Sequence, residues 1–229
     1  METIIKKIFN NKYFFQMVNL VGGLGLKYKR FNLSEYTPEN NPALLSFWDF
    51  CKTFKSPSVI ELGTKRQNPT IPTHHKEWVP HALEFLGTDI ENGIDVDIVA
   101  DLHSFAEVVG NERFDIIISC STLEHIKYPH LAAHHIMKSL KVGGGIFIQT
   151  HQTYPYHGYP HDYFRYSVEA LSGMFNEKMG MKIISSCYRF PARICNPRES
   201  SVSGFSAYLN VCFFAKKIAP TPDSYLYDL

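Results

Sequence analysis

The sequence predicts an open α/β sheet of seven strands, mostly parallel with an antiparallel last strand, behind an N-terminal helical cap. Three observations predict it. Between Val59 and Asp101 a short apolar run ends at or beside an acid three times over; strands and helical patterns then alternate as far as Thr150; two further apolar or alternating runs close the chain. Residues 1–54 are assigned to the cap, 55–217 to the sheet domain and 218–229 to a tail.

With 229 residues the chain has room for one domain and a substantial core. Apolar residues at 45% and charged residues at 20% are ordinary for a soluble globular protein. A net charge of +1 gives no electrostatic ground for a nucleic-acid partner. The cysteines, Cys51, Cys120, Cys187, Cys195 and Cys212, form no C-x-x-C pair and no zinc pattern, so no metal is expected and a reduced, cytoplasmic compartment is the simplest reading. Cys120, at a strand end, reads as a small buried residue rather than a nucleophile.

Residues 1–30 place Ile4, Ile5, Ile8 and Phe9 at helical spacing, but Asn10, Asn11, Lys12, Gln16 and Asn19 interrupt the apolar content. No cleavage signal and no transmembrane span results. Two readings stay open: a helix folded over the core, or an amphipathic segment resting on a membrane surface. The weakly basic polar face favours the first. Gly22-Gly23-Leu24-Gly25 reads as a flexible turn, since no strand precedes it and no G-K-[ST] follows.

Asn41-Pro42 opens a helix, with Asn as N-cap, Pro in the first turn, and Leu44, Leu45, Phe47, Trp48, Cys51 and Phe54 at periods of three and four. Ser56-Pro57 ends it. The first strand, Ser58 to Leu62, is apolar as a central parallel strand should be, with Glu61 near its end. In such sheets ligands sit outside the carboxyl ends of the strands, so a terminal acid points into the crevice. The turn that follows, Gly63-Thr64-Lys65-Arg66-Gln67, keeps one glycine, and Lys65 or Arg66 suits a carboxylate ligand or plain solvent equally well. Pro69, Pro72 and Pro80 shorten the next helix, and His74-His75 within that stretch reads as a surface pair.

The second strand ends at Asp89, suited to the hydroxyls of a ribose, and the third, Val96 to Leu102, carries Asp101, suited to an adenine amine with the Leu102 backbone beside it. Acids on three neighbouring strands fit a ligand with a cationic end, a ribose diol and an exocyclic amine. S-adenosylmethionine has all three. NAD also uses an acid after the second strand, but the missing glycines and the lack of a Tyr-x-x-x-Lys pair weigh against an NAD(P)-dependent oxidoreductase, and Asp101 tips the balance.

The fourth strand is Phe114 to Cys120, a helix runs from about His130 to Leu140, and the fifth strand is Ile146 to Thr150. Glu61-Leu62-Gly63, Asp89, Asp101-Leu102-His103, Phe114-Asp115, Leu123-Glu124-His125 and Leu140-Lys141-Val142-Gly143-Gly144 together resemble, in order and spacing, the class I S-adenosylmethionine-dependent methyltransferases, in their small-molecule, methyltransferase-domain type 11-like branch. The resemblance covers residues 56–217. It implies a Rossmann-like seven-stranded sheet and S-adenosyl-L-methionine as cofactor, surrounded by Glu61, Gly63, Asp89, Asp101, Leu102 and Ser119. Glu61 and Gly63 would stand at its amino-acid end. The sequence departs from the family's glycine-rich turn at Lys65 and Gln67, which leaves a non-catalytic cofactor-binding partner protein as a further alternative.

Methylating a hydroxyl requires removal of its proton, and histidine is the usual agent. His125, just beyond the fourth strand, is the candidate catalytic residue; the alternative is that Glu124 and His125 only fix the following helix. Residues 150–167 carry six tyrosines or phenylalanines near three histidines, which suits a polar, ring-bearing acceptor. His151 and His157 are read as acceptor contacts together with Tyr159, and Asp162 and Arg165 as a structural clasp before a helix capped by Ser167. Related methyltransferases carry a similar His-x-x-Pro-x-Asp-Tyr-x-Arg run. Arg193, in the long connection between the last two strands, suits a phosphate or carboxylate on the acceptor. A hydroxyl of a small polar acceptor, in the class of sugars, nucleotide-sugars or glycan precursors, is the expected target, an amine the less favoured one.

Overall fold

The computed structural model describes residues 41–158, 160–194 and 205–227. Residue contacts divide the chain into two units, and the larger one, Tyr36–Ala192 with Ala207–Leu229, carries the sheet. The readings of residues 1–40, including the Gly22 to Gly25 turn, and of Cys195 fall outside the described residues.

Helix α1 (Pro42–Cys51) starts as its sequence requires. The Asn41 side-chain oxygen accepts from Leu44 N at 3.0 Å and Pro42 occupies the first turn. Ala43, Leu44, Phe47, Phe50 and Cys51 make a buried stripe. The strands are β1 (Ser58–Leu62), β2 (Glu84–Asp89), β3 (Ile98–Val99), β4 (Phe114–Cys120), β5 (Leu140–His151), β6 (Met181–Ile194) and β7 (Phe205–Lys217), in the order β3-β2-β1-β4-β5-β7-β6. β1 to β5 pair in parallel, and β7 runs antiparallel against β5. The remaining helices are α2 (Phe105–Val109), α3 (Pro129–Ser139) and α4 (Val168–Met174).

Alternation along the strands sends side chains to two cores. Val59, Ile116, Ile118, Phe147, Cys212 and Phe214 meet α1 on one face. Ile60, Ile117, Ile146, Ile148, Val211 and Phe213 meet α3 and α4 on the other. Phe47 is fully buried, its ring 5.3 Å from that of Phe147 and 5.7 Å from that of Phe214. Phe47→Ala is therefore expected to cost about 3–5 kcal/mol, read as a lower urea midpoint with an unchanged slope.

Three elements differ from their sequence expectation, the first being β6, which runs on to Ile194 and so takes in Arg193, expected in the connection that follows. β3 pairs over only two residues, because Asp95 turns the chain at φ 69° and Asp97 then hydrogen-bonds Gly87 through both its backbone and its side chain, each at 2.8 Å. β5 begins six residues early: Leu140 pairs with Phe114, and a register shift absorbs Gly143, at φ 89°, inside the strand. Gly145 must lack a side chain there, since a Cβ would stand 2.5 Å from the Phe50 ring. Among the described residues no helix is long and apolar enough to cross a membrane.

Candidate functional site

A cavity of about 830 Å³ opens at the carboxyl ends of the parallel strands, within the size range of small-molecule sites. Gly63 makes the turn out of β1 at φ 75°, and a Cβ there would lie 2.3 Å from Thr122 Oγ1, which itself donates to Leu62 O at 2.9 Å. Only glycine fits both the dihedral and the contact. Its N–H donates to Thr88 O at 2.7 Å, tying this turn to the end of β2.

One wall of the cavity is acidic. Asp89 is oriented by two backbone donors, Lys65 N at 3.1 Å and Glu91 N at 3.2 Å. Asp101 accepts from His103 N at 2.9 Å and from its ring Nδ1 at 2.6 Å. That ring's Nε2 accepts from Tyr128 N at 3.1 Å, so the proton sits on Nδ1. Burial pushes the Asp101 carboxyl up, but the His103 N–H and ring together outweigh it and hold the group below its ordinary value. Leu102 also lines the cavity.

The two cations read for a carboxylate behave differently. Arg66 is committed to Asp95 by a pair of bonds at 2.7 and 2.9 Å and does not line the cavity. Lys65 does line it, and its ammonium pairs with Glu91, whose hydrogen bond raises the Lys65 pKa. Glu61 does not reach the cavity. It is 1% exposed, accepts from His75 N at 2.7 Å and pairs with His75 Nδ1 at 2.5 Å, and it is His75 that lines the cavity. Ser119 is buried on β4, has no hydrogen-bond partner for its hydroxyl among the described residues, and does not line the cavity.

The opposite wall is built of histidines. The chain leaves β4 through Ser121, a non-glycine residue at φ 52°, into a 3₁₀ turn, Leu123–His125. His125 Nδ1 lies 2.5 Å from the carbonyl oxygen of His161, so this nitrogen carries the proton and the lone pair falls on Nε2. His151, at the end of β5, stacks on Tyr154 with centroids 4.1 Å apart, and its Nδ1 lies 3.0 Å from Asn210 Oδ1. Burial lowers the His151 pKa, against the opposing pull of the Glu124 carboxylate. His157 places its ring 4.8 Å from both the His125 and His151 rings.

Beneath them lies Glu124, fully buried. Its Oε2 accepts from Thr150 Oγ1 at 2.7 Å, while Oε1 faces His151 Nε2 at 3.1 Å and His157 Nε2 at 3.8 Å. Its backbone carbonyl accepts from Tyr163 N and Phe164 N, which pins the loop above it. Cys120 also lines this cavity; burial first, then the Glu61 and Glu124 carboxylates, raises its thiol well above the usual range and keeps it protonated.

The loop is closed by the expected clasp. Arg165 grips Asp162 with two bonds, at 2.5 and 2.7 Å, and also donates to the carbonyls of Tyr154 and Pro155. Ser167 caps α4 by accepting from Ala170 N. The Asp162 side chain is 1% exposed, and the guanidinium beside it holds its carboxyl far below the usual range. Asp162→Ala should lose about 3 kcal/mol at neutral pH. Because this pKa is lowered by folding, its stabilisation is present above the unfolded value of about 4 and drains away as pH falls toward the folded one. Melting curves at pH 7 and pH 3 should show the gap between wild type and variant narrowing in acid.

Of the residues predicted from sequence, the structure brings Gly63, Lys65, Asp89, Asp101, Leu102, His125, His151 and His157 to one cavity. Tyr159 and the side chain of Arg193 lie outside the described residues. Sequence reasoning missed His75, Glu124 and Asn210 as members of the site. Glu124 was next to the chosen histidine, and only the fold reveals that it faces β5.

A family model described as a methyltransferase domain matches residues 33–185, well over half the chain. The fold is similar to that of Burkholderia thailandensis 1,6-didemethyltoxoflavin-N1-methyltransferase, solved with 1,6-didemethyltoxoflavin and S-adenosylhomocysteine bound, at 13% identity and a TM-score of 0.52, covering 82% of this chain and 85% of that one. An S-adenosylmethionine-dependent methyltransferase from Mesorhizobium loti matches at 14% identity and a TM-score of 0.51, covering 76% of this chain and 96% of that one. No curated protein matches the sequence significantly.

Proposed function

The chain belongs to the methyltransferase-domain family, and from that premise we propose that it transfers a methyl group from S-adenosylmethionine to a hydroxyl of a small polar acceptor. The observation that carries the reading is the meeting of Asp89, Asp101 and His125 in one cavity at the sheet's carboxyl edge.

The donor set suits that cofactor. Asp89 would accept the ribose hydroxyls and Asp101 the adenine amine, with the Leu102 backbone beside the ring. Gly63 leaves room for close approach of the amino-acid end, where Lys65 would meet the carboxylate and Glu61 would act through His75. When bound, the cofactor supplies a methyl carbon on a sulfonium, already a good leaving group.

The chain's own task is positioning and proton transfer. His125 Nε2 takes the acceptor's hydroxyl proton while Nδ1–H stays on the His161 carbonyl, which steadies the imidazolium. His151, His157, Tyr159 and Arg193 are assigned to the acceptor; aromatic and cationic groups of this kind suit a sugar, nucleotide-sugar or glycan precursor. The described cysteines, Cys51, Cys120, Cys187 and Cys212, are free, which supports a reducing, cytoplasmic compartment.

Calorimetry with S-adenosylmethionine, S-adenosylhomocysteine and NADH tests the cofactor. Binding of the first two and not the third is expected, and binding of NADH alone would falsify the proposal. Incubation of labelled methyl donor with pools of sugars, sugar nucleotides and amines then identifies the acceptor class.

A further inference from the structure

We propose that Glu124, His151 and His157 form a binding site for a divalent transition-metal cation of the zinc class, on the floor of the cavity. Spacing along the chain gives no hint of it. The fold brings together three residues that lie 27 and 6 positions apart in sequence.

Glu124, His151 and His157 each offer a ligand atom within 4.8 Å of the others, and Glu124 Oε1 stands 3.1 Å from His151 Nε2 and 3.8 Å from His157 Nε2. Ligand atoms about 2.1 Å from a tetrahedral zinc stand roughly 3.4 Å apart, and the two measured separations bracket that value.

The second nitrogens carry the argument further. His151 Nδ1 faces Asn210 Oδ1 at 3.0 Å, and His157 Nδ1 faces Asp162 Oδ2 and Pro155 O, each at 3.2 Å. Oxygen acceptors there call for protons on Nδ1, which turns both Nε2 lone pairs toward a carboxylate oxygen. Carboxylate and carbonyl groups behind ligating histidines are the usual outer support of a metal site.

The buried Glu124 oxygen thus faces an imidazole nitrogen from each of two histidines. Glu124 Oε1 is buried and has no hydrogen-bond partner among the described residues, in a side chain that is 0% exposed. A buried carboxylate in that state is costly unless a cation or proton compensates it. One proton would satisfy a single nitrogen, whereas a cation satisfies all three groups. His151 and His157 also line the cavity, so a fourth position would open toward whatever molecule occupies it.

The other grouping of similar residues, Glu61, His75 and Cys120, lacks this character. There the carboxylate already accepts from the His75 ring and backbone. Its thiol is also held in the protonated form that does not bind metal.

The test is titration of the metal-stripped full chain with Zn²⁺ by calorimetry and with Co²⁺ by visible absorption. One tight equivalent is expected, with the d–d bands of a four-coordinate site. Glu124→Gln, nearly isosteric, and His157→Ala, on the loop, should each weaken it at least tenfold while far-ultraviolet dichroism stays that of the wild type. Asn210→Ala should weaken it about tenfold, and His75→Ala should leave it unchanged. Failure to bind one equivalent of either ion at neutral pH would mean that a proton fills the gap, and would overturn the proposal. So would binding that Glu124→Gln and His157→Ala leave intact.

Discussion

Asp89→Ala should weaken S-adenosylmethionine binding by about a hundredfold, equivalent to about 3 kcal/mol. The carboxylate stands at the tip of β2, where Lys65 N and Glu91 N fix both of its oxygens before any ligand arrives. A preset acceptor loses little freedom on binding, and two charge-assisted bonds to a ribose diol are each worth about 1.5–3 kcal/mol. Asp89 is only half-buried, so the sheet itself should survive the change. Calorimetry reads the effect directly, with S-adenosylhomocysteine expected to weaken in parallel. A change in Kd below threefold would show that the ribose is held elsewhere.

His125→Ala should lower turnover by about a hundredfold to ten-thousandfold while leaving cofactor affinity within twofold. Its role rests on a tautomer. The His161 carbonyl keeps the proton on Nδ1, so Nε2 can accept one. Single-turnover assays with labelled donor separate this step from binding. A histidine that merely braced the 3₁₀ turn would, when removed, lower melting temperature and leave turnover per folded molecule unchanged. Loss of the acid limb of the rate profile in the variant would mark a proton acceptor, because a brace has no such limb.

Much of this was legible in the chain. β1 and β4 fall on the residues whose apolar runs announced them, because a strand covered on both faces has no reason to end until its run does. α1 was fixed by Asn41 and Pro42, two signals acting locally. β3 was overestimated because Asp95 adopts a left-handed turn that its residue type does not require. β5 was underestimated because three glycines suggested a turn, whereas the parallel neighbour Phe114 draws them into a bulged ladder.

The site divides in the same way. Asp89, Asp101 and Gly63 were readable because strand ends and positive-φ turns have local signatures. Glu61 was readable as an acid but not as one covered by His75, since that pairing spans fourteen residues of proline-broken chain. Glu124 was hidden for the opposite reason: its neighbour His125 faces the cavity, and a turn sends the two side chains to different partners. Asn210, on β7, becomes relevant only once the antiparallel strand sets it opposite His151.

The turn after β1 is joined across a gap to the turn after β2, by Lys65 to Glu91 and by Arg66 to Asp95. A glycine-rich loop gets its shape from backbone freedom, and dissolved ions do not alter it. Here opposite charges on facing loops do that shaping, and the Lys65–Glu91 contact is open enough to water for electrolyte to weaken it. The grip on the nucleoside end should therefore slacken in brine, an environmental sensitivity that a chain with the full set of glycines would lack.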